Sequence, residues 1–194
     1  MKVGVLALQG AVREHLRMIE MTGHEAIPVK KVDQLTDLDG LIIPGGESTT
    51  IGKLIKQYNF TGAIQEFSKA QKPLFGTCAG LIIIAKEINQ TTEHHLSLMD
   101  IKVERNAFGR QKESFEADIQ IKGVADNFPS VFIRAPYIME TGDQVEILAV
   151  YQDKIVAARQ GHLLGAAFHP ELTDDHRMHQ YFIEMVIESK QTVK

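Results

Sequence analysis

The chain has no tryptophan, a single cysteine and only six prolines in 194 residues. One cysteine excludes an internal disulfide, so the fold has no covalent staple, which fits a reducing cytosol. Long apolar runs are absent too. The segment Leu81-Ile82-Ile83-Ile84-Ala85 falls far short of the roughly 20 residues needed to cross a bilayer. The apolar stretch 3–8 is too short for a secretory core and lacks a cleavage site, so no targeting segment is expected. Charge of neither sign dominates. A net charge of −4 argues against nucleic acid or a membrane surface as a partner. There is no internal repeat, low-complexity tract or linker. A single domain over 1–194, in the cytoplasm, is therefore the expectation.

What is present is enough apolar material, 44% of residues, to bury one sizeable core. Val3-Gly4-Val5-Leu6-Ala7-Leu8 reads as a buried strand that closes on Gln9-Gly10. Val12, Leu16 and Ile19 follow at helical spacing. Segment 26–29 reads as a short strand, placed at an edge by Pro28. Strand 40–43 closes on Pro44-Gly45-Gly46, and helices are predicted over 48–58 and 62–70. This alternation implies a mostly parallel sheet with helices on both faces. The second half is richer in strand: 101–104, 115–121, 131–135, 145–151, 155–159 and 163–168. Close spacing makes these partly antiparallel. A last helix is predicted over about 175–188, and 90–98, with His94-His95, reads as a solvated surface loop.

In parallel sheets ligands lie beyond the carboxyl ends of the strands. Gln9-Gly10, Gly45-Gly46 and the segment Gly76-Thr77-Cys78-Ala79-Gly80 all fall there. The last of these, between two apolar runs, reads as strand, sharp turn and helix. Such an elbow lifts a nucleophile clear of the sheet, and flanking glycines let the backbone pass. A helix starting at the sulfur favours thiolate. A buried structural cysteine is the alternative. Phe168-His169-Pro170-Glu171 supplies what a cysteine nucleophile needs. In extended backbone, His169 and Glu171 point to the same side, so Glu171 can orient the imidazole against Cys78. Pro170 is expected to keep the intervening backbone stiff.

Gly45-Gly46-Glu47-Ser48-Thr49 can turn backbone N–H groups toward an oxyanion at a helix start, or simply cap that helix. It is not a phosphate loop. Five residues separate Gly46 from Gly52 where four are required, and Leu54 stands in the hydroxyl position. His176 and His179 have a metal-like spacing, but packing or solvent explains them better, and neither metal nor cofactor is expected. Arg105 and Arg134 could hold a substrate carboxylate in a fork or make surface ion pairs.

These motifs, together with Leu8-Gln9-Gly10, Arg13-Glu14-His15, Arg105-Asn106-Ala107-Phe108-Gly109-Arg110-Gln111, Ser114-Phe115-Glu116 and Leu172-Thr173, span nearly the whole chain. The sequence resembles the glutaminase subunits of pyridoxal 5′-phosphate synthases, which are class I (triad) glutamine amidotransferases. The elbow and His-Pro-Glu belong to many triad amidotransferases. The Leu-Gln-Gly, Gly-Gly-Glu-Ser-Thr and Arg-Asn-Ala-Phe-Gly-Arg-Gln texts are the specific ones.

The resemblance implies a three-layer α/β/α fold and hydrolysis of L-glutamine to glutamate and ammonia. It implies a Cys78-His169-Glu171 triad and a glutamine pocket lined by Gly46, Glu47, Ser48, Arg105, Ile133 and Arg134. The oxyanion donors would be the N–H groups of Gly46 and Ala79. It further implies a (β/α)₈-barrel synthase subunit as partner, on which activity depends, in a large hetero-oligomer. Three rivals stand beside it. They are the amidotransferase feeding imidazole glycerol phosphate synthesis, a DJ-1-like protein that would not need His169-Pro170-Glu171, and a non-catalytic assembly subunit.

Overall fold

A computed structural model describes residues 1–105 and 114–192. The strands are β1 (Lys2–Leu6), β2 (Glu25–Val29), β3 (Gly40–Ile43), β4 (Leu74–Thr77), β5 (Ala85–Ile88), β6 (Met99–Glu104), β7 (Ser114–Ile121), β8 (Ala125–Ile133), β9 (Tyr137–Thr141), β10 (Glu146–Tyr151), β11 (Lys154–Gln160) and β12 (Leu163–Ala166). The helices are α1 (Val12–Met21), α2 (Ser48–Gln57), α3 (Phe60–Lys69), α4 (Ala79–Ile84) and α5 (Arg177–Thr192).

Among the described residues, ten strands form one sheet in the order β2-β1-β3-β4-β12-β11-β9-β6-β5, with β10 paired to β11. The β2-β1-β3-β4-β12 half is parallel throughout. Antiparallel pairs begin at β12-β11 and continue through β9 to β6. The proline-bearing strand β2 lies at the edge, as Pro28 requires. The mostly parallel sheet with antiparallel strands from the second half is therefore present.

The two faces of this sheet are covered by different helices, and β4 shows why. Side chains alternate along a strand. Phe75 packs with its ring 5.6 Å from Phe182 of α5, and Thr77 bonds His15 of α1, so both point to the α1/α5 face. Gly76, between them, faces α4. A Cβ at Gly76 would collide with the Gly80 carbonyl, and one at Gly80 with the Ile43 carbonyl. The two glycines flanking the elbow thus let α4 lie directly on β3 and β4.

Four expectations change. Strand β8 begins at Ala125 and ends at Ile133, so it is longer than 131–135 at its start and stops short of Ala135. It takes Pro129 into a two-stranded hairpin opposite Asp118, away from the main sheet, where one lost ladder bond is tolerated. Strands β5 and β9 were not expected. The segment 90–98 is not simply solvated: His95 and Leu96 are buried, with His95 packed over Gly52. The segment 106–113, which carries most of the Arg-Asn-Ala-Phe-Gly-Arg-Gln text, lies outside the described residues.

Candidate active site

Cys78 is the hinge between β4 and α4. Its φ of 49° and ψ of −105° are strained for a residue with a Cβ. That turn is what an elbow nucleophile requires. The Cys78 N–H donates to the Ala166 carbonyl of β12 at 2.8 Å, which ties the elbow to the neighbouring strand end. His169 lies three residues beyond β12, so strand pairing brings the two side chains together. Both line one cavity, close enough for the sulfur to raise the imidazole pKa. The thiol also lies 3.9 Å from the Ile133 carbonyl.

His169 Nδ1 donates to Glu171 Oε1 at 2.7 Å. The segment reaches this contact by a route other than extended backbone. Pro170–Leu172 is a 3₁₀ turn, with Pro170 at its first position, where a fixed φ and a missing N–H cost nothing. Both side chains are buried, Glu171 almost fully. Burial alone would lower the imidazole pKa. The adjoining Cys78 and the hydrogen-bonded Glu171 carboxylate outweigh it and raise His169 to about 10. Burial would raise the Glu171 carboxyl, but His15 and His169 together hold it below the ordinary carboxylate range.

A cavity of about 510 Å³ opens over the sulfur. Gly46, Glu47, Ser48, Cys78, Ala79, Arg105, Ile133, Arg134 and His169 all line it, with Gln9, Ile82 and Pro136. Glu171 stands behind His169 and out of the cavity wall. Glu47 is the N-cap of α2. Its carboxylate turns back to cap α2, accepting from the N–H groups of Thr49 (3.0 Å) and Thr50 (2.7 Å), and its own N–H donates to Gln9 Oε1 at 3.0 Å. The Thr50 hydroxyl bond, with these amides, lowers the Glu47 pKa to about 2. Arg105 makes the ion pair with Glu93, at 3.4 Å, while its Nε is buried without a partner. Arg134 is exposed at the cavity edge, at φ 42°.

No hydrogen bond among the described residues uses the N–H of Gly46 or of Ala79. The Gly45 carbonyl accepts from Ala11 N–H at 3.1 Å, which pins the peptide before Gly46 to the β1–α1 turn. A Cβ at Gly45 would stand 2.5 Å from His169 Cε1 and 3.3 Å from Cys78 Cβ. The substitution Gly45→Ala is therefore expected to push the imidazole off the sulfur. A misplacement near 1 Å costs on the order of 10²-fold in turnover. Kinetics beside a thermal melt separate that loss from unfolding.

Two buried histidines were not among the expected site residues. His15 and His179 are both fully buried, 2.8 Å apart between Nδ1 and Nε2. They had a detectable signal: His15 shares a helical face with Val12 and Ile19, and His179 with Phe182 and Val186. A histidine at an apolar-face position is buried and must find partners.

An elbow cysteine, a histidine from the adjacent strand end, a buried carboxylate and a two-glycine segment over one cavity define the class I glutamine amidotransferase fold. A profile of the SNO glutamine amidotransferase family matches residues 5–188. The chain belongs to the SNO glutamine amidotransferase family. It is 64% identical over 188 residues to "Pyridoxal 5'-phosphate synthase subunit PdxT" of Brevibacillus brevis, covering 97% of this chain and 98% of that protein. It is also 64% identical over 190 residues to the protein of the same name from Anoxybacillus flavithermus, covering 98% and 99%. A solved structure described as a glutamine amidotransferase superposes with a TM-score of 0.91 at 49% identity, covering 95% of this chain and 98% of that one.

Proposed function

We propose that this chain, acting as one domain, is the glutaminase subunit of a pyridoxal 5′-phosphate synthase. It hydrolyses L-glutamine and passes the ammonia to a (β/α)₈-barrel synthase subunit in a cytoplasmic hetero-oligomer. The observation that carries the chemistry is the placing of Cys78 and His169 on the wall of one cavity, with the His169–Glu171 hydrogen bond behind them. The particular pathway is supported by the names and near full-length identity of the relatives.

The Cys78 thiolate attacks the side-chain amide carbon of glutamine, and the carbonyl electron pair moves to oxygen. The N–H groups of Gly46 and Ala79 hold that oxyanion. The His169 imidazolium gives its proton to the amide nitrogen, the C–N bond breaks, and ammonia leaves a glutamyl thioester on Cys78. His169, now neutral, takes a proton from water. The hydroxide adds to the thioester, the C–S bond breaks, and glutamate leaves with the thiolate and imidazolium restored. Glu171 keeps the imidazole in the tautomer this needs.

Uncoupled hydrolysis would waste ammonia. A Gly45-Gly46 peptide that turns its N–H into the cavity only when the barrel subunit binds would prevent it. One oxyanion donor is worth about 10²–10³ in turnover. Glutamine hydrolysis measured with and without the barrel subunit is expected to differ by about that factor. Full turnover by the isolated chain would remove the switch. No turnover in the complex would remove the function.

A further inference from the structure

The triad does not end at Glu171. Its Oε1 meets His169, but Oε2 has no hydrogen-bond partner in the buried interior. His15 Nε2 lies 3.5 Å from it. The same nitrogen lies 2.9 Å from Thr77 Oγ1, on the residue before the nucleophile. His15 Nδ1 in turn lies 2.8 Å from His179 Nε2, and His179 Nδ1 has no partner.

These distances decide the tautomers. Suppose His15 carried its proton on Nδ1. A lone pair would then face the Glu171 carboxylate, and His179 would have to accept at Nε2 and bury an orphan N–H at Nδ1. The opposite arrangement avoids both costs. His179 Nε2–H donates to His15 Nδ1, and His15 Nε2–H points between Thr77 Oγ1 and Glu171 Oε2. At His179 only a lone pair is then left unpaired, at Nδ1, and an unmade acceptor costs less than an unmade donor.

We propose that His15, held in one tautomer by His179, is a positioning residue of the triad: its Nε2–H faces the second oxygen of Glu171 and the Thr77 hydroxyl, so helices α1 and α5 set the carboxylate that sets His169. The proposal rests on the triad reading of Cys78, His169 and Glu171. It assigns work to two residues that touch neither the cavity nor the sulfur. Burial lowers the pKa of both rings, His179 the further, which keeps the pair neutral and the hydrogen-bond direction fixed. The titratable groups facing Glu171 are His169 from its own segment and His15 from α1, with Cys78 beyond His169. Glu14 acts on His15, and His176 and His15 on His179.

The test uses the full wild-type chain and two variants. Histidine ¹⁵N–¹H spectra of the wild type are expected to show Nε2–H tautomers for His15 and His179. A proton on Nδ1 of His15 overturns the proposal, whatever the variants do. In the complex with the barrel subunit, His15→Leu is expected to lower kcat about tenfold or more, as a misplaced catalytic group does. KM should stay unchanged, and the acid limb of the pH profile should move to higher pH, because Glu171 loses a stabilising N–H. His15→Gln, which keeps an amide N–H at the same reach, is expected to restore both. A lowered melting temperature with kcat and acid limb unchanged in both variants would make the pair a packing feature only. The triad reading is judged separately, by whether wild type hydrolyses glutamine and Cys78→Ala does not.

Discussion

Replacing Cys78 with alanine is expected to lower glutamine hydrolysis by on the order of 10⁵-fold or more, the scale on which a triad nucleophile is lost. The fold should survive. The backbone at position 78 is held by its own N–H bond to Ala166 and by the glycine contacts of the elbow. Alanine bears no more strain at φ 49° than cysteine does. The side chain contributes its approach to His169 and a 3.9 Å contact with the Ile133 carbonyl. Its loss is expected to cost about 1 kcal/mol of stability. It also removes one of the two neighbours that raise His169. The imidazole of Cys78→Ala should therefore titrate at lower pH than in the wild type, which NMR can follow. Binding to the barrel subunit should persist. Loss of hydrolysis, folding and binding together would mean that the cysteine is structural.

The second large effect belongs to Glu171→Gln. The carboxylate touches His169 at 2.7 Å and does not line the cavity. The loss should therefore fall on kcat, by about 10⁴-fold, with little change in KM, as when a triad carboxylate becomes an amide and the histidine tautomer is lost. The pH dependence of stability follows from two opposite shifts. Glu171 is depressed. Its contribution is present above the ordinary carboxylate range and is lost as pH falls below it. His169 is raised. Its contribution is full below the ordinary imidazole range and is lost as pH climbs through about 10. Wild type should thus lose stability at both ends. In Glu171→Gln the acid-side loss should shrink, since no buried carboxylate remains to be protonated. Urea midpoints across the pH range measure this.

Much of the candidate site's geometry was legible because it depends on local signals. The five-residue elbow, the strand-end glycines and the His-Pro-Glu spacing each describe one turn of backbone, and the parallel sheet brings their ends to one edge. Where nonlocal packing decides, the sequence was less informative. Strand β5 follows α4 with no breaker between Ile84 and Ala85, and its central Lys86-Glu87 leaves no alternating apolar pattern to mark a strand. Strand β9 is short and carries Glu140 and Thr141. It exists because β6 and β11 are both there to pair with it. Pro129 sits in a two-stranded hairpin that tolerates it, so β8 starts at Ala125 and not at the expected 131. The 3₁₀ turn at Pro170 replaces an extended segment and still delivers Glu171 to His169, at 2.7 Å. His15 and His179 are 164 positions apart. Only the stacking of α1 and α5 on one face of β4 joins them.

The central claim is that Cys78 carries the glutamyl group. The most direct measurement is the intact mass and peptide map of the complex after treatment with a diazoketone analogue of glutamine. One adduct per chain, on the peptide containing Cys78, with hydrolysis lost in proportion, is the expected result. An adduct on another residue, or glutamine hydrolysis that persists once Cys78 is fully modified, would contradict it.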